Sequence, residues 1–276
     1  SFLFKVVPGL SSLNCLLMLF PFKDDNPTKN KPFISYLIIF LCCIIFMFQF
    51  SLSPQVGYSI IKTFGATPYL LTNELFQYWY SILSSMFLHG SLMHLVGNLI
   101  YLWIFGDNIE DEFGRFNFII FYILCGIGAV IAQILLDPQS NVPMIGASGA
   151  IAGLLGSYIV LHPKAKIYVF AWIVIFVKLI KVPAFIVISI WIGLQFMNVF
   201  DQGSSGVAYS AHIGGFLTGL ILTPFFKKNT TKIFTPDKNK LYISKNISEE
   251  LDKDSILRHM PSNKKKERKN KNPWDL

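Results

Sequence analysis

A serine between two glycines is the side chain in this sequence that is best placed to act as a chemical group. Ser148 lies in residues 145–157 (IGASGAIAGLLGS), where it opens an apolar run that is compatible with a helix. A serine hydroxyl acts as a nucleophile when an adjacent base takes its proton. Alone, this pattern is more typical of helix packing, because the G-x-S-x-G nucleophile motif has another spacing and follows a β-strand. A catalytic interpretation therefore requires a base at the same depth.

Two histidines and an asparagine are candidates, because polar groups in apolar segments are costly unless they are satisfied. His94 and Asn98 are four residues apart and share one face of a helix. His212 lies six residues after Gly206, or roughly 9 Å along a helix. The order of the segments brings all three to the depth of Ser148. Each could alone be a structural hydrogen-bonding group, but their convergence favours an active site.

These residue types match the requirements of acyl transfer. The imidazole of His212 can take and return a proton near neutral pH, as a general base must. Asn98, His94 and the backbone N–H of Ser148 are the available donors to a developing oxyanion. Small residues that repeat every four positions would let the two helices approach closely. They are Gly149 and Gly153 on one side and Ala211, Gly215 and Gly219 on the other.

Composition identifies an integral membrane protein. Of the 276 residues, 53% are hydrophobic and only 14% are charged, whereas soluble domains carry about a quarter charged residues. The net charge is +8, and 14 of the 24 basic residues follow residue 226. Beside a membrane domain, such a tail favours lipid headgroups over nucleic acid as its partner. The four cysteines have neither metal-ligand nor disulfide spacing, and we predict no metal and no cofactor.

Apolar runs divide the chain into three parts. Residues 1–32 are predicted to form an interfacial N-terminal segment, residues 33–226 a membrane domain, and residues 227–276 a basic, mostly disordered tail. Six spans are predicted within the membrane domain, at about 33–52, 92–109, 116–136, 147–162, 183–200 and 206–226. Residues 53–91 are predicted to form a long connection that lies partly in the membrane interface. Residues 163–182 are ambiguous, but their lysines favour a segment that lies on the surface.

The basic residues predict the orientation. With six spans both termini lie on one side, and that side collects nearly all lysines and arginines of the loops. The loops on the opposite side hold only Lys62. The positive-inside rule therefore predicts cytoplasmic termini and an active site that faces the extracytoplasmic side.

At this point the sequence resembles the rhomboid family of intramembrane serine proteases, of the bacterial six-span kind. The resemblance covers about residues 33–226. It rests on four motifs in order: HGSLMHLVGN at 89–98, GDNIEDEFG at 106–114, GASG at 146–149 and AHIGG at 211–215. Each motif is weak separately, and together they are specific.

The resemblance implies an all-α polytopic membrane protein with a bundle of six transmembrane helices. Ser148 would be the nucleophile and His212 the general base, a dyad without an acidic third member. His94 and Asn98 would stabilise the oxyanion. The substrates would be transmembrane proteins, cut near the outer leaflet of a bacterial inner or plasma membrane. Supporting structural roles would fall to Glu110, Gly106, Gly114, Gly146, Gly149 and Gly215.

Two departures from the family pattern concern the site. The first loop reads Tyr78-Trp79-Tyr80-Ser81, where members often have Trp-Arg. Ala152 occupies a position that in some members holds an aromatic residue stacked on the histidine, so other neighbours must orient His212. A non-proteolytic binder or chaperone of transmembrane helices is an alternative function. A channel or transporter is disfavoured, because the sequence shows no internal repeat and no intramembrane acid.

Overall fold

The computed structural model describes residues 18–173, 176–200, 207–228 and 231. The chain divides into two units, residues 1–238 and 239–276, and every described residue lies in the first. Most of the predicted N-terminal segment and nearly all of the predicted basic tail lie outside the described residues. The proposed three-part division of the chain stays a prediction.

The described part of the chain is mostly helical. Each predicted span coincides with one long helix, and residues 53–91 fold into four short helices and a 3₁₀ turn at Ser85–Phe87. The helices are α1 (Phe33–Ser51), α2 (Pro54–Phe64), α3 (Pro68–Asn73), α4 (Leu75–Tyr78), α5 (Ser81–Ser84), α6 (Leu92–Phe113), α7 (Arg115–Leu136), α8 (Ser148–Leu161), α9 (Ala184–Asn198) and α10 (Tyr209–Phe226).

Length and apolar composition qualify some of these helices as membrane spans. α1 and α7 are each long and apolar enough to cross a bilayer. The segment Ser81–Phe87 together with α6 also qualifies, although the chain bends by 93° between them. α8 and α9 are apolar but shorter. The structure thus agrees with a polytopic helical membrane protein, while the number of six spans stays a prediction.

Local chemistry sets both ends of α6. The hydroxyl of Ser91 accepts a hydrogen bond from the backbone N–H of His94 at 3.1 Å, which caps the start of the helix. The helix ends at Gly114, whose φ of +81° is a conformation that favours glycine. One turn before this end, the Glu110 carboxylate accepts bonds from the backbone N–H groups of Ile34 and Ser35 at 2.9 and 2.8 Å. Glu110 thereby fastens the start of α1 to α6.

The centre of the bundle is α8, which packs most closely against α10. A Cβ atom added at Gly215 would overlap the carbonyl oxygen of Gly149, and one added at Gly219 would overlap that of Gly153. Glycine at these positions is therefore required for the backbones to touch. This is the close approach that the four-residue spacing of small residues predicts, and it brings the starts of α8 and α10 together.

A three-stranded antiparallel sheet joins the far end of the bundle, and the all-α expectation misses it. The strands are β1 (Met18–Asp24), β2 (Lys166–Ile173) and β3 (Phe176–Pro183), in the order β1-β2-β3. In β2, Ile167 and Val169 are buried, whereas Lys166 is exposed. Such alternation is typical of a sheet with one buried face. A paired hairpin also satisfies its own backbone hydrogen bonds, which suits a segment close to the bilayer.

A buried polar cluster ties β1 to the helices at this end. Tyr158 Oη on α8 donates a hydrogen bond to Asp24 Oδ2 at 2.7 Å, and Asn108 Nδ2 on α6 donates to the same oxygen at 2.8 Å. Asn26 Nδ2 in turn donates to Asn108 Oδ1. Burial raises the pKa of Asp24 from 3.8 to about 7, so its carboxyl group is partly protonated at neutral pH.

Candidate active site

Ser148 and His212 form a direct hydrogen bond where α8 and α10 begin. The distance between Ser148 Oγ and His212 Nε2 is 2.8 Å. His212 is only 4% exposed, while Ser148, the first residue of α8, is half-buried. A buried imidazole thus contacts a half-buried serine hydroxyl, which is the geometry that a nucleophile and its general base would need.

The turn before Ser148 depends on Gly146. Its φ is +112°, which side chains other than hydrogen rarely allow, and its N–H donates to the carbonyl of Ser85 at 2.8 Å. A Cβ atom at Gly146 would lie 2.6 Å from His94 Nε2 and 3.5 Å from Asn98 Nδ2. Both the backbone conformation and the space therefore require glycine, and the turn lies directly against the two polar residues of α6.

His94 and Asn98 face the site from the first turns of α6. Asn98 is buried, and its Nδ2 donates a hydrogen bond to the carbonyl oxygen of His94 at 3.0 Å. An amide nitrogen carries two protons, so this bond leaves one for another acceptor. The ring of His94 packs edge-to-face on that of His89, with centroids 5.2 Å apart. The structure thus brings all four predicted polar residues to one end of the bundle.

Two residues of α9 that the sequence did not mark as site residues contact His212. Gln195 Oε1 lies 2.8 Å from His212 Nδ1, so the partner of this nitrogen is a neutral amide rather than a carboxylate. The ring of Trp191 lies beside that of His212, with centroids 5.7 Å apart and planes at 36°. Ala152 offers no aromatic ring, and Trp191 supplies one from another helix. Gln195 and Asn198 are the two amides of this otherwise apolar helix, and that is the sequence signal that could have drawn attention to Gln195.

The departure in the first loop leads to another contact. Tyr80 follows Trp79, whereas many family members have arginine after this tryptophan. The Tyr80 hydroxyl donates a hydrogen bond to the carbonyl of Thr63 at 3.3 Å. Its ring also packs against Phe64, with centroids 5.9 Å apart. These contacts hold the loop to α2.

Among the residues that the structure describes, no group of three potential metal-ligating side chains occurs.

The fold and this site define a class: helical membrane proteins with a buried serine–histidine pair between two closely packed helices. Comparison with known proteins agrees, since residues 76–229, more than half of the chain, match the family model described as Rhomboid domain. The protein belongs to the rhomboid family and is an integral membrane protein.

Three relatives illustrate the range of similarity. Rhomboid protease GluP of Bacillus subtilis is 29% identical over 193 residues, which cover 69% of this chain and 34% of that protein. RHOMBOID-like protein 5 of Arabidopsis thaliana is 32% identical over 141 residues, covering 51% and 42%. Rhomboid protease GlpG of Klebsiella pneumoniae is 26% identical over 209 residues, covering 74% and 66%. The chain thus spans between a third and two thirds of the length of these relatives.

The relatives also bear on localisation. Other relatives carry mitochondrial or chloroplastic names, so family membership does not favour a bacterial membrane over an organellar one. What family membership and the apolar helices support is residence in a membrane.

Proposed function

We propose that the protein is an intramembrane serine endopeptidase that hydrolyses peptide bonds in or near the transmembrane segments of other membrane proteins. The observation that carries the proposal is the 2.8 Å contact between Ser148 Oγ and His212 Nε2. Family membership supports it, because two of the relatives are named rhomboid proteases.

The proposed reaction follows the chemistry of serine hydrolysis. Ser148 Oγ attacks the carbonyl carbon of the scissile bond while His212 Nε2 takes the hydroxyl proton. The tetrahedral intermediate collapses as His212 gives this proton to the leaving amine, and the acyl group remains on Ser148. Water then attacks the acyl carbon with His212 as base again, which releases the second product and restores the serine.

Three donors could stabilise the negative charge on the tetrahedral intermediate. The backbone N–H of Ser148 lies at the start of α8, where no preceding turn of helix supplies an acceptor. Asn98 has its second amide proton, and His94 Nε2 lies close to the Gly146 turn. Fixed donors of this kind act strongly where water is excluded. We assign the oxyanion role to this set.

The proposed orientation puts the sheet and the termini in the cytoplasm and the site on the extracytoplasmic side. Lys23 and Lys181 are exposed on the sheet, which adjoins the end of α8 opposite Ser148. Excess basic charge on this side favours the cytoplasm. Labelling of single cysteines at these two positions in intact and opened cells would test it, and labelling of intact cells would contradict it.

A serine-reactive fluorophosphonate tests the proposed mechanism. Purified protein in lipid should be labelled, and Ser148→Ala should abolish the labelling. Ser157→Ala is the matched control, since Ser157 lies on the same helix and is fully buried far from His212. Equal labelling of the wild-type protein and Ser148→Ala would contradict a catalytic serine here.

The alternative is a rhomboid-like binder of transmembrane helices without proteolysis. Binding needs neither a nucleophile nor a base, so Ser148→Ala would still bind such helices under both hypotheses. Hydrolysis of a bound helix by the wild-type protein alone separates the two functions. The hydrogen bond between Ser148 and His212 favours the protease, because proteolysis requires such a contact and helix binding does not.

A further inference from the structure

We propose that Gln195 is the positioning residue for the general base: it holds His212 in the tautomer that carries its proton on Nδ1, which leaves Nε2 free to accept the proton of Ser148. This inference rests on the proposed protease function and adds a third side chain to the pair. Gln195 touches neither the serine nor the substrate position, and it acts through His212.

The hydrogen bonds of Gln195 determine which atom donates and which accepts between Gln195 and His212. Gln195 Nε2 donates to the carbonyl oxygen of Trp191, one turn earlier in α9, at 2.9 Å. Its amide nitrogen is therefore engaged, and Oε1 is the atom that faces His212 Nδ1 at 2.8 Å. An amide oxygen only accepts hydrogen bonds, so Nδ1 must be the donor. A neutral imidazole carries one proton, and Nε2 is then the acceptor opposite Ser148 Oγ.

Burial makes this choice of tautomer matter. Gln195 is 8% exposed and His212 is 4% exposed, so little water can replace the hydrogen bond between them. Without Oε1, the Nδ1–H group would have no acceptor from Gln195, and the imidazole could move its proton to Nε2 or turn. Either change would leave Ser148 facing a nitrogen that cannot take its proton.

The position of Gln195 on its helix supports a specific role. The buried residues of α9 are Ala184, Ile188 and Gln195, so Gln195 is the polar member of this inward face. Outward-facing neighbours such as Phe196 and Met197 are exposed and apolar. A buried polar side chain on a helix with few buried residues thus points at His212, with the ring of Trp191 beside the imidazole. Together they orient His212 where Ala152 cannot.

A merely structural Gln195 would join α9 to α10 and nothing more. Its loss would then lower the stability of the protein, with no effect on the tautomer of His212 or on kcat of the folded fraction. Measurements of tautomer and kcat therefore separate positioning from helix packing.

The experiment compares three variants in lipid nanodiscs. Gln195→Met has a similar length but no strong acceptor, and Gln195→Glu keeps an acceptor oxygen toward Nδ1. Asn198→Ala is the matched control on the same helix, since the Asn198 amide also donates to a carbonyl one turn earlier, that of Leu194 at 2.7 Å. The readouts are the rate of fluorophosphonate labelling, kcat and KM on a transmembrane substrate, and ¹⁵N NMR of labelled histidines.

We expect Gln195→Met to lower both the labelling rate and kcat by about 10- to 100-fold with KM unchanged. This is the loss seen when the partner that orients a metal-bound histidine is removed. Gln195→Glu should retain activity within about tenfold, and Asn198→Ala should match the wild-type protein. In the wild-type protein, the NMR signals of His212 should show the proton on Nδ1.

Two results would overturn the inference. One is a Gln195→Met protein with wild-type kcat and labelling rate. The other is a wild-type His212 that carries its proton on Nε2, a measurement that needs no variant and holds even if Gln195→Met does not fold. Failure of the protease function looks different, because wild-type protein and Ser148→Ala would then label equally whatever the tautomer.

Discussion

The two ends of α8 both bury polar side chains, but they use them differently. At the site end, Ser148, His212 and Gln195 form a line of hydrogen bonds that ends in a neutral amide. At the far end, Tyr158 donates to Asp24, whose carboxyl group also accepts from Asn108. One arrangement pairs a histidine with a serine hydroxyl, and the other joins three separate segments of the chain.

This difference shows how the fold distributes the cost of burying charge. An ionised group inside a bilayer is expensive, so a neutral orienting partner suits the site end. The titratable carboxyl group of Asp24 belongs to β1 rather than to one of the long helices. We infer that the site end determines rate and the far end determines stability. The following changes test that separation, from the largest expected effect to the smallest.

Removing either member of the serine–histidine pair should abolish cleavage. Ser148→Ala and His212→Ala should each be inactive on a transmembrane substrate in proteoliposomes, with circular dichroism showing that both remain folded. The two effects should not add, because nucleophile and base act as a unit. A double variant far slower than either single variant would contradict that coupling.

Removing an oxyanion donor should have a smaller effect at the same end. Asn98→Ala should lower kcat by about 10²-fold with little change in KM, since its bond is made mainly in the transition state. Steady-state kinetics on the same substrate would measure this. An unchanged kcat would mean that Asn98 only joins helices.

The substrate should matter less than the donors. A helical substrate has its carbonyl groups engaged in backbone hydrogen bonds, and it must unwind before Ser148 can attack. We expect small residues at the cut near the extracytoplasmic end, followed by glycine, proline or polar residues. Replacing the latter by leucine should slow cleavage by about tenfold, as measured on a panel of single-pass substrates. Equal rates across the panel, or cuts at the cytoplasmic end, would contradict the assigned depth.

Changes at the far end should affect stability and its pH dependence while leaving kcat within about twofold. Folding raises the pKa of Asp24 from 3.8 to about 7, so between these values the folded protein binds more protons than the unfolded one. Stability should therefore fall as pH rises from about 4 to 7 and level off above. Asp24→Asn should flatten this slope in thermal unfolding measured across that range.

Asp25→Asn is the control for this change. Asp25 is the next residue, and its carboxylate accepts a bond from the backbone N–H of Lys166 at an exposed position, at 2.8 Å. If the slope persists in Asp24→Asn but disappears in Asp25→Asn, the titrating carboxyl group is not that of Asp24. A large loss of kcat in Asp24→Asn would break the proposed separation between the two ends.

The sequence predicted the long helices because apolar runs of about 20 residues have few other structures in a bilayer. It also predicted that Ser148 and His212 approach each other, since glycine spacing and topology converge. The contact of Gln195 with His212 could not be predicted, because the sequence around an amide in an apolar helix does not show which residue of another helix it will contact. For residues 163–182 the sequence left open a membrane span or a surface segment. Their two strands were not predicted, because a short apolar run fits a strand or a helix equally well.

The pairing of β1 with β2 also constrains how the protein is made. Asp25 and Lys166, which bond beside this pairing, are 141 residues apart. Ribosomes add about 5 to 20 residues per second, so β1 waits roughly 7 to 28 s for its partner. Its backbone N–H and C=O groups are meanwhile open to other chains, which is the usual hazard of an unpaired strand. The sheet closes only after α1 to α8 have been synthesised, so it is assembled late, onto helices that are already present.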